Sequence, residues 1–369
     1  MLSQFPIGSF SSYLETEWKT MKKNNIRSLP FFGFMLCISI LLPQKTIAQQ
    51  VWTNEKFPSY IERLTYFGER ADWSHDGKKI LFLGRNFGDV YEYELETKII
   101  TPVTHHYYHG GYTRALYLAN GDILLSGPRQ FNPEEAFEWR RFRSELWVLD
   151  KSLTKPPVRL GTYCFEGPAV SRTQLKIAWT QNFGHERKPV GRFVIWVADI
   201  DYSTGQPVMI NQRLVIDNNH PTIKGAVLET QNFRPPQEQE LIFQSTLGVE
   251  TFGIHLESGE LTNYTNAPDT HEEPEGVFPD GQYTLVESDR ESSVGKWAEN
   301  VDFYRLKLDG SGQMERLTFF AESGRFKGTN PVVSDDGRFI AFQVPFATLE
   351  AGVGQGLYIY DIEKAEKQK

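Results

Sequence analysis

Beyond residue 60, apolar positions fall in short runs that are β-branched or aromatic and bounded by polar turn residues. Ile80-Leu81-Phe82-Leu83, Leu146-Trp147-Val148-Leu149 and Leu357-Tyr358-Ile359-Tyr360 are typical, and runs of this kind predict strands. No apolar stripe holds helical spacing over three turns. The best local helix candidate, 134–143, reads as an insertion between strands.

The runs repeat. Ala71-Asp72-Trp73-Ser74-His75-Asp76-Gly77-Lys78-Lys79-Ile80-Leu81-Phe82 agrees in residue class, at nearly every position, with Pro331-Val332-Val333-Ser334-Asp335-Asp336-Gly337-Arg338-Phe339-Ile340-Ala341-Phe342. Looser copies lie at 115–125, 168–179 and 274–286. Each predicts a strand, a turn and a second strand; outside 168–179 the turn is Asp-Gly or Asn-Gly, because glycine accepts the positive φ of a tight hairpin. A third strand follows at 91–95, 145–150, 194–199, 252–256, 303–308 and 357–361. The result is six units of about fifty residues, near 62–104, 105–161, 162–217, 218–266, 267–320 and 321–369. In the fourth, Arg234-Pro235-Pro236-Gln237 replaces the turn. Six four-stranded units predict an all-β, six-bladed β-propeller over 61–369, in preference to an open array or a two-sheet sandwich. Glu315-Arg316-Leu317-Thr318-Phe319-Phe320 ends the fifth unit, and nearly the same words, Glu62-Arg63-Leu64-Thr65-Tyr66-Phe67, precede the first. Since the sixth unit stops after its third strand, residues 61–67 are expected to complete it and hide two open edges.

The form [Trp/Val]-Ser-x-Asp-Gly-[Lys/Arg]-x-Ile-x-Phe, carried by Trp73 to Phe82 and Val333 to Phe342, resembles the TolB-type, WD40-like propeller repeat of periplasmic and secreted proteins. The resemblance covers the chain beyond the leader and is most specific in the first, fifth and sixth units. TolB itself adds an N-terminal α/β domain. About a dozen residues separate Gln49 from the first strand, so no such domain is expected here. The repeat is also similar, more weakly, to that of secreted oligogalacturonate lyases, which hold a divalent metal and cleave acidic sugars by β-elimination. No lyase motif matches residue by residue, so that resemblance implies no catalytic role for any residue.

Ahead of the repeats, Lys22, Lys23 and Arg27 precede an apolar stretch at 29–42 (LPFFGFMLCISILL), and Thr46-Ile47-Ala48 follows. This is the layout of a secretory signal peptide over 1–48, cut after Ala48. The stretch is short for a membrane span, and a retained anchor is the weaker reading. Met21 by itself begins a conventional leader, which leaves open whether residues 1–20 are translated. Cys37 is not at the end of the apolar run, which argues against lipidation. Residues 49–60 form a lead-in. A periplasmic or secreted protein, with no transmembrane segment after cleavage, is expected. The net charge of −8, from 39 basic and 47 acidic residues, leaves no basic excess for nucleic acid. Two cysteines exclude a disulfide framework.

In a propeller the first strand of each blade lines the central channel, and the residues just ahead of it converge on one mouth. The candidate ligand-binding residues are therefore Arg70, His109, Tyr112, Arg114, Glu166, Glu229, His271, Glu273, Glu275 and Asn330. Glu69, Thr230, Glu272 and Lys327 occupy the same windows. The competing reading is that polar residues merely solvate a wet opening. Arg70 and Arg114, in matching places of adjacent units, suit bidentate capture of a carboxylate, as on a uronic acid or a peptide C-terminus. The alternative is a pairing with Glu69. The Glu272-Glu273-Pro274-Glu275 run can hold a cation or stay solvated. No cofactor is required by any motif. A divalent metal on His109 and His271, with His220 or His185, is the one open option, and no HExxH spacing supports it. His75 and Cys164 read as structural, the latter as a buried strand residue. Phe131, Phe137, Trp139 and Phe142 alternate with Arg140, Arg141 and Arg143 in the insertion at 130–143, which suits stacking on a sugar, gripping a partner, or packing on its own blade. No nucleophile elbow, phosphate loop or dinucleotide fingerprint is present. The expectation is a monomeric binding scaffold whose channel mouth takes an envelope protein or an acidic carbohydrate. The alternative is a metal-dependent lyase or hydrolase of uronic-acid oligosaccharides.

Overall fold

A computed structural model of the chain describes residues 56–184, 191–246, 248–293, 300–349 and 354–369. Its strands begin with β1 (Ile61–Arg63). The first blade is β2–β5 (Glu69–Trp73, Lys79–Leu83, Val90–Glu94, Ile100–Pro102), and the second is β6–β9 (Arg114–Tyr117, Ile123–Gly127, Glu145–Leu149, Val158–Tyr163). The third is β10–β13 (Phe165–Val170, Lys176–Asn182, Phe193–Asp201, Val208–Asp217), and the fourth β14–β17 (Leu228–Phe233, Glu240–Ser245, Glu250–His255, Leu261–Asn263). The fifth is β18–β21 (Glu272–Val277, Tyr283–Ser288, Asp302–Lys307, Met314–Arg316). The sixth contains β22–β24 (Thr329–Val333, Phe339–Gln343, Leu357–Asp361). Each blade is a four-stranded antiparallel sheet, and β1 is the fourth strand of the last. The inner strands β2, β6, β10, β14, β18 and β22 touch in that order, and β22 touches β2. The blades therefore enclose a channel, as a six-bladed β-propeller does.

The repeated Ser-x-Asp-Gly words explain the hairpins. Ser74 Oγ donates to Asp76 Oδ1 (2.7 Å) and accepts from Lys79 N (2.9 Å), while Gly77 takes a φ of 66°. Ser334, Asp336, Phe339 and Gly337 repeat the arrangement at 2.6 Å, 3.0 Å and 72°. Only glycine enters that conformation without steric cost. Where the fourth blade lacks the words, Arg234 takes their place. Its guanidinium donates to Gly281 O (2.7 Å) and Leu308 O (3.0 Å) on the fifth blade.

β1 pairs antiparallel with β24, with Ile61 opposite Tyr360 and Arg63 opposite Tyr358. Leu64 N then donates to Leu357 O at 2.8 Å, and Phe57 and Tyr60 stack edge-on against Tyr358 and Tyr360. Apolar layers fill the gaps between blades. Ala71, Trp73 and Phe82 of the first blade interlock with Ala341, Leu357 and Ile359 of the sixth, and Trp73 Nε1 donates to Val332 O at 3.1 Å. Complete burial of a side chain such as Phe82 contributes about 1.5–3 kcal/mol.

The 134–143 segment is helical, but not as one α-helix. A 3-10 turn (Pro133–Glu135), one α turn (Ala136–Glu138) and one π turn (Trp139–Arg143) follow each other between β7 and β8. Cys164 is buried as expected, although it falls in the break between β9 and β10 rather than within a strand. The signal peptide, the Met21 start, Cys37, lead-in residues 49–55 and His185 lie outside the described residues. Among the described residues, no helix is long and apolar enough to cross a membrane.

Candidate ligand site at the channel mouth

Most inner strands begin with an irregularity. The register slips between Glu69 and Asp72, Phe165 and Pro168, Thr230 and Asn232, Pro274 and Val277, and Thr329 and Val332. Arg70, Glu166 and Asn330, each second in its strand, hold φ values of 55°, 60° and 48°. Left-handed backbone at a residue with a Cβ costs about 1–2 kcal/mol, and such strain persists where the surrounding structure imposes it. Bulges re-aim side chains. Arg70, Arg114, Thr230, Glu275 and Asn330 line a cavity of about 320 Å³ that runs down the channel to Asp72, Arg172 and Asp335.

One side of the mouth is cationic. The Arg70 side chain is buried, with 4% of the residue exposed. Its Nε and Nη2 have no hydrogen-bond partner among the described residues. Burial, and then the neighbouring Arg114 and Arg140 charges, bring it down to about 9, so it stays charged at neutral pH. Arg114 lines the same cavity. Glu166 faces them, gripped by Arg140 Nε and Arg141 Nε at 2.6 Å each. Burial alone would raise this carboxyl. The guanidiniums, Arg140 and Arg141 foremost, outweigh burial and hold it at about 2.

The fourth and fifth blades supply carboxyl groups that burial and their mutual repulsion push toward the neutral form. Burial and the nearby Glu273 lift Glu275 to about 7. Burial, then Glu273 and Glu166, raise Glu229 well above the carboxylate range. Glu287 is raised likewise by burial, Glu275 and Glu273. Asn330 organises this wall, its Nδ2 donating to Glu275 Oε1 (3.0 Å) and its backbone N to Glu287 Oε1 (2.6 Å). Gln343 Nε2 donates to Asn330 Oδ1, and Gln343 Oε1 accepts from Arg70 N at 3.2 Å. A hydrogen-bonded chain thus connects the two walls through the sixth blade. His271 Nε2 lies 3.3 Å from Glu273 Oε2. Ligand atoms of His271, Glu273 and Glu287 come within 4.8 Å of one another, a donor set that suits a divalent transition metal.

The far end of the cavity is lined by an ion network. Arg172, from the turn after β10, reaches Asp335 (2.9 Å), Asp72 (3.5 Å) and Trp73 O (2.8 Å). His75 bonds Asp335 (3.1 Å) and Leu118 O (2.9 Å) with its two nitrogens. Its place in the Ser-x-Asp-Gly words is therefore structural, tying the first blade to the second and sixth.

The structure gathers Arg70, Arg114, Glu166, Glu229, His271, Glu273, Glu275 and Asn330 around the mouth. It does not bring His109 and Tyr112 there. His109 Nε2 bonds Asp89 Oδ1 (3.1 Å), its Nδ1 accepts from Gly111 N (2.9 Å), and its ring stacks on Tyr112. Neither nitrogen is left for a metal, and His109 lines a separate pocket with Phe87 and Phe131. Tyr112 is packed in the apolar layer of the first two blades. His220 caps a local turn. Glu272 pairs with Arg290 at 2.6 Å, and Glu69 accepts from Gly354 N at 2.5 Å rather than bonding Arg70. The sequence windows missed Glu287, Gln343, Arg140 and Arg141. A polar residue ending an apolar second strand, as in Leu285-Val286-Glu287 and Ala341-Phe342-Gln343, is the signal that marks the first two.

No family model matches the chain, and no curated protein matches it. Solved structures do. An oligogalacturonate lyase in complex with manganese shares 14% identity at a TM-score of 0.51, covering 83% of this chain and 79% of that one. A gluconolactonase from Xanthomonas campestris gives 14% and 0.51, covering 82% and 88%. TolB from Acinetobacter baumannii is 19% identical at 0.43, over 80% of this chain and 66% of its own. The likeness is one of fold. These neighbours are propellers with different activities, so function has to be argued from the mouth itself.

Proposed function

We propose that this chain is a periplasmic or secreted binding scaffold that captures a carboxylate-bearing ligand in its channel mouth, on Arg70 and Arg114. The observation that carries this reading is the buried Arg70 guanidinium, with two nitrogens lacking partners at the wall of an open cavity. Leaving such donors buried and unmatched is costly, and a carboxylate offers the bidentate acceptor they lack. Calorimetric titration of the purified protein with oligogalacturonates and with short peptides tests it. Saturable binding is expected for at least one carboxylate ligand, and Arg70→Ala with Arg114→Ala should weaken it about a hundredfold, as for two charge-assisted contacts. Capture that survives the double substitution unchanged sinks the assignment.

The second reading is a metal-dependent lyase or hydrolase acting on acidic oligosaccharides, and the His271, Glu273 and Glu287 group favours it. In that case Mn, Ca or Zn binds stoichiometrically and is lost in His271→Ala with Glu287→Gln. Uronic-acid oligomers are then cleaved. A metal-free protein inert toward them removes this reading.

A further inference from the structure

The ionisable groups around the mouth are divided by blade. Arginines come from the first and second blades, Arg70 and Arg114. Carboxyl groups without an ion pair among the described residues come from the fourth and fifth: Glu275 lines the cavity, and Glu229 and Glu287 belong to the same electrostatic cluster through Glu273. In a closed ring of six, the first blade faces the fourth and the second faces the fifth. Asn330 engages one oxygen of Glu275 and one of Glu287, and no second partner completes either carboxylate among the described residues. Arg70 supplies the independent sign that something is missing, since it is buried, unpartnered and set in the cavity wall. A ligand carrying only a carboxylate satisfies one wall and adds negative charge beside the other.

We infer that the mouth recognises a zwitterion, with a carboxylate on Arg70 and Arg114 and an ammonium group on the Glu229, Glu275 and Glu287 wall. The inference rests on the carboxylate reading above and narrows its ligand class to amino acids, short peptides with free termini and amino-bearing acids. A cavity of about 320 Å³ is on the order of ten water volumes at about 30 Å³ each. That space suits a free amino acid or a dipeptide better than a folded partner.

The test titrates the purified protein with matched probes: alanyl-alanine and phenylalanyl-alanine, their N-acetyl forms and their C-terminal amides. At least one free dipeptide should bind tenfold or more tightly than both of its capped forms, as expected when a charge-assisted hydrogen bond is removed from either end. Glu229→Gln with Glu275→Gln should abolish the preference over the N-acetyl form and keep the preference over the amide. That second arm reports on the acidic wall even if the double variant is less stable, because both ratios are measured on the same preparation. N-acetyl forms that bind as well as free dipeptides overturn the inference and leave carboxylate capture standing. Amides that bind as well as free acids overturn both. Failure of every dipeptide to bind, or Mn2+ binding at His271, Glu273 and Glu287 with no effect of the ligand amine, also overturns the inference.

Discussion

Replacing Glu275 by Gln should stabilise the protein at neutral pH and leave it unchanged in acid. The residue is 7% exposed. Burial and the Glu273 charge lift it from an ordinary 4.5 to about 7. A carboxyl with a higher pKa in the folded state holds its proton more tightly there. The stability it contributes is therefore complete below about pH 4.5 and is lost as the pH rises through 7. At 1.36 kcal/mol per unit, the loss is about 3 kcal/mol. Gln keeps an acceptor for Asn330 Nδ2 and removes the titration. Glu287, which is raised in part by Glu275, gains as well. Urea unfolding of both proteins at pH 4.5, 6 and 8, without ligand, yields the difference curve directly. Variant minus wild type should be near zero at pH 4.5 and rise to about 3 kcal/mol by pH 8. A flat difference, or one that falls with pH, would mean that Glu275 is not held protonated by this wall.

Other expectations bear on the ring and its ends. Arg172→Met should cost about 3 kcal/mol, the scale for removing one partner of a mostly buried ion network, and a urea midpoint equal to wild type would contradict a structural role for the contacts of Arg172 with Asp72 and Asp335. Ile61→Ala should cost about 2–5 kcal/mol, read by thermal unfolding, because Ile61 is packed in the layer with Tyr358 and Tyr360. Arg140→Ala with Arg141→Ala should raise the Glu166 carboxyl from about 2, since burial is then opposed only by the weaker Arg70 and Arg114 charges. Carbon-detected NMR titration of labelled Glu measures that shift, and an unmoved Glu166 would refute the clamp.

Legibility in the sequence ended where long-range docking began. Ser74, Asp76 and Gly77 announce a hairpin because every bond they make is local, and their copies at Ser334, Asp336 and Gly337 announce the repeat. Arg70 and Arg114 were readable as mouth residues once the period was known, since position in the repeat fixes position on the channel. His109 sits in the same window by count, yet Asp89 and Gly111 draw it into a pocket between blades. A window counts residues and cannot weigh such a competitor. Glu287 and Gln343 escaped for the opposite reason, because they reach the mouth from the second strand of their blades. Arg140 and Arg141 were visible as charge in an insertion, but nothing local says that the segment turns toward Glu166 on the next blade. That contact decides the character of the mouth. With Glu166 gripped by the insertion, Arg70 keeps the neighbouring Glu69 charge, yet its Nε and Nη2 have no hydrogen-bond partner among the described residues. The insertion thus does more than decorate the rim: by engaging Glu166 it takes up the carboxylate that faces the arginines, and this is the arrangement on which the proposed capture of a ligand by Arg70 and Arg114 rests.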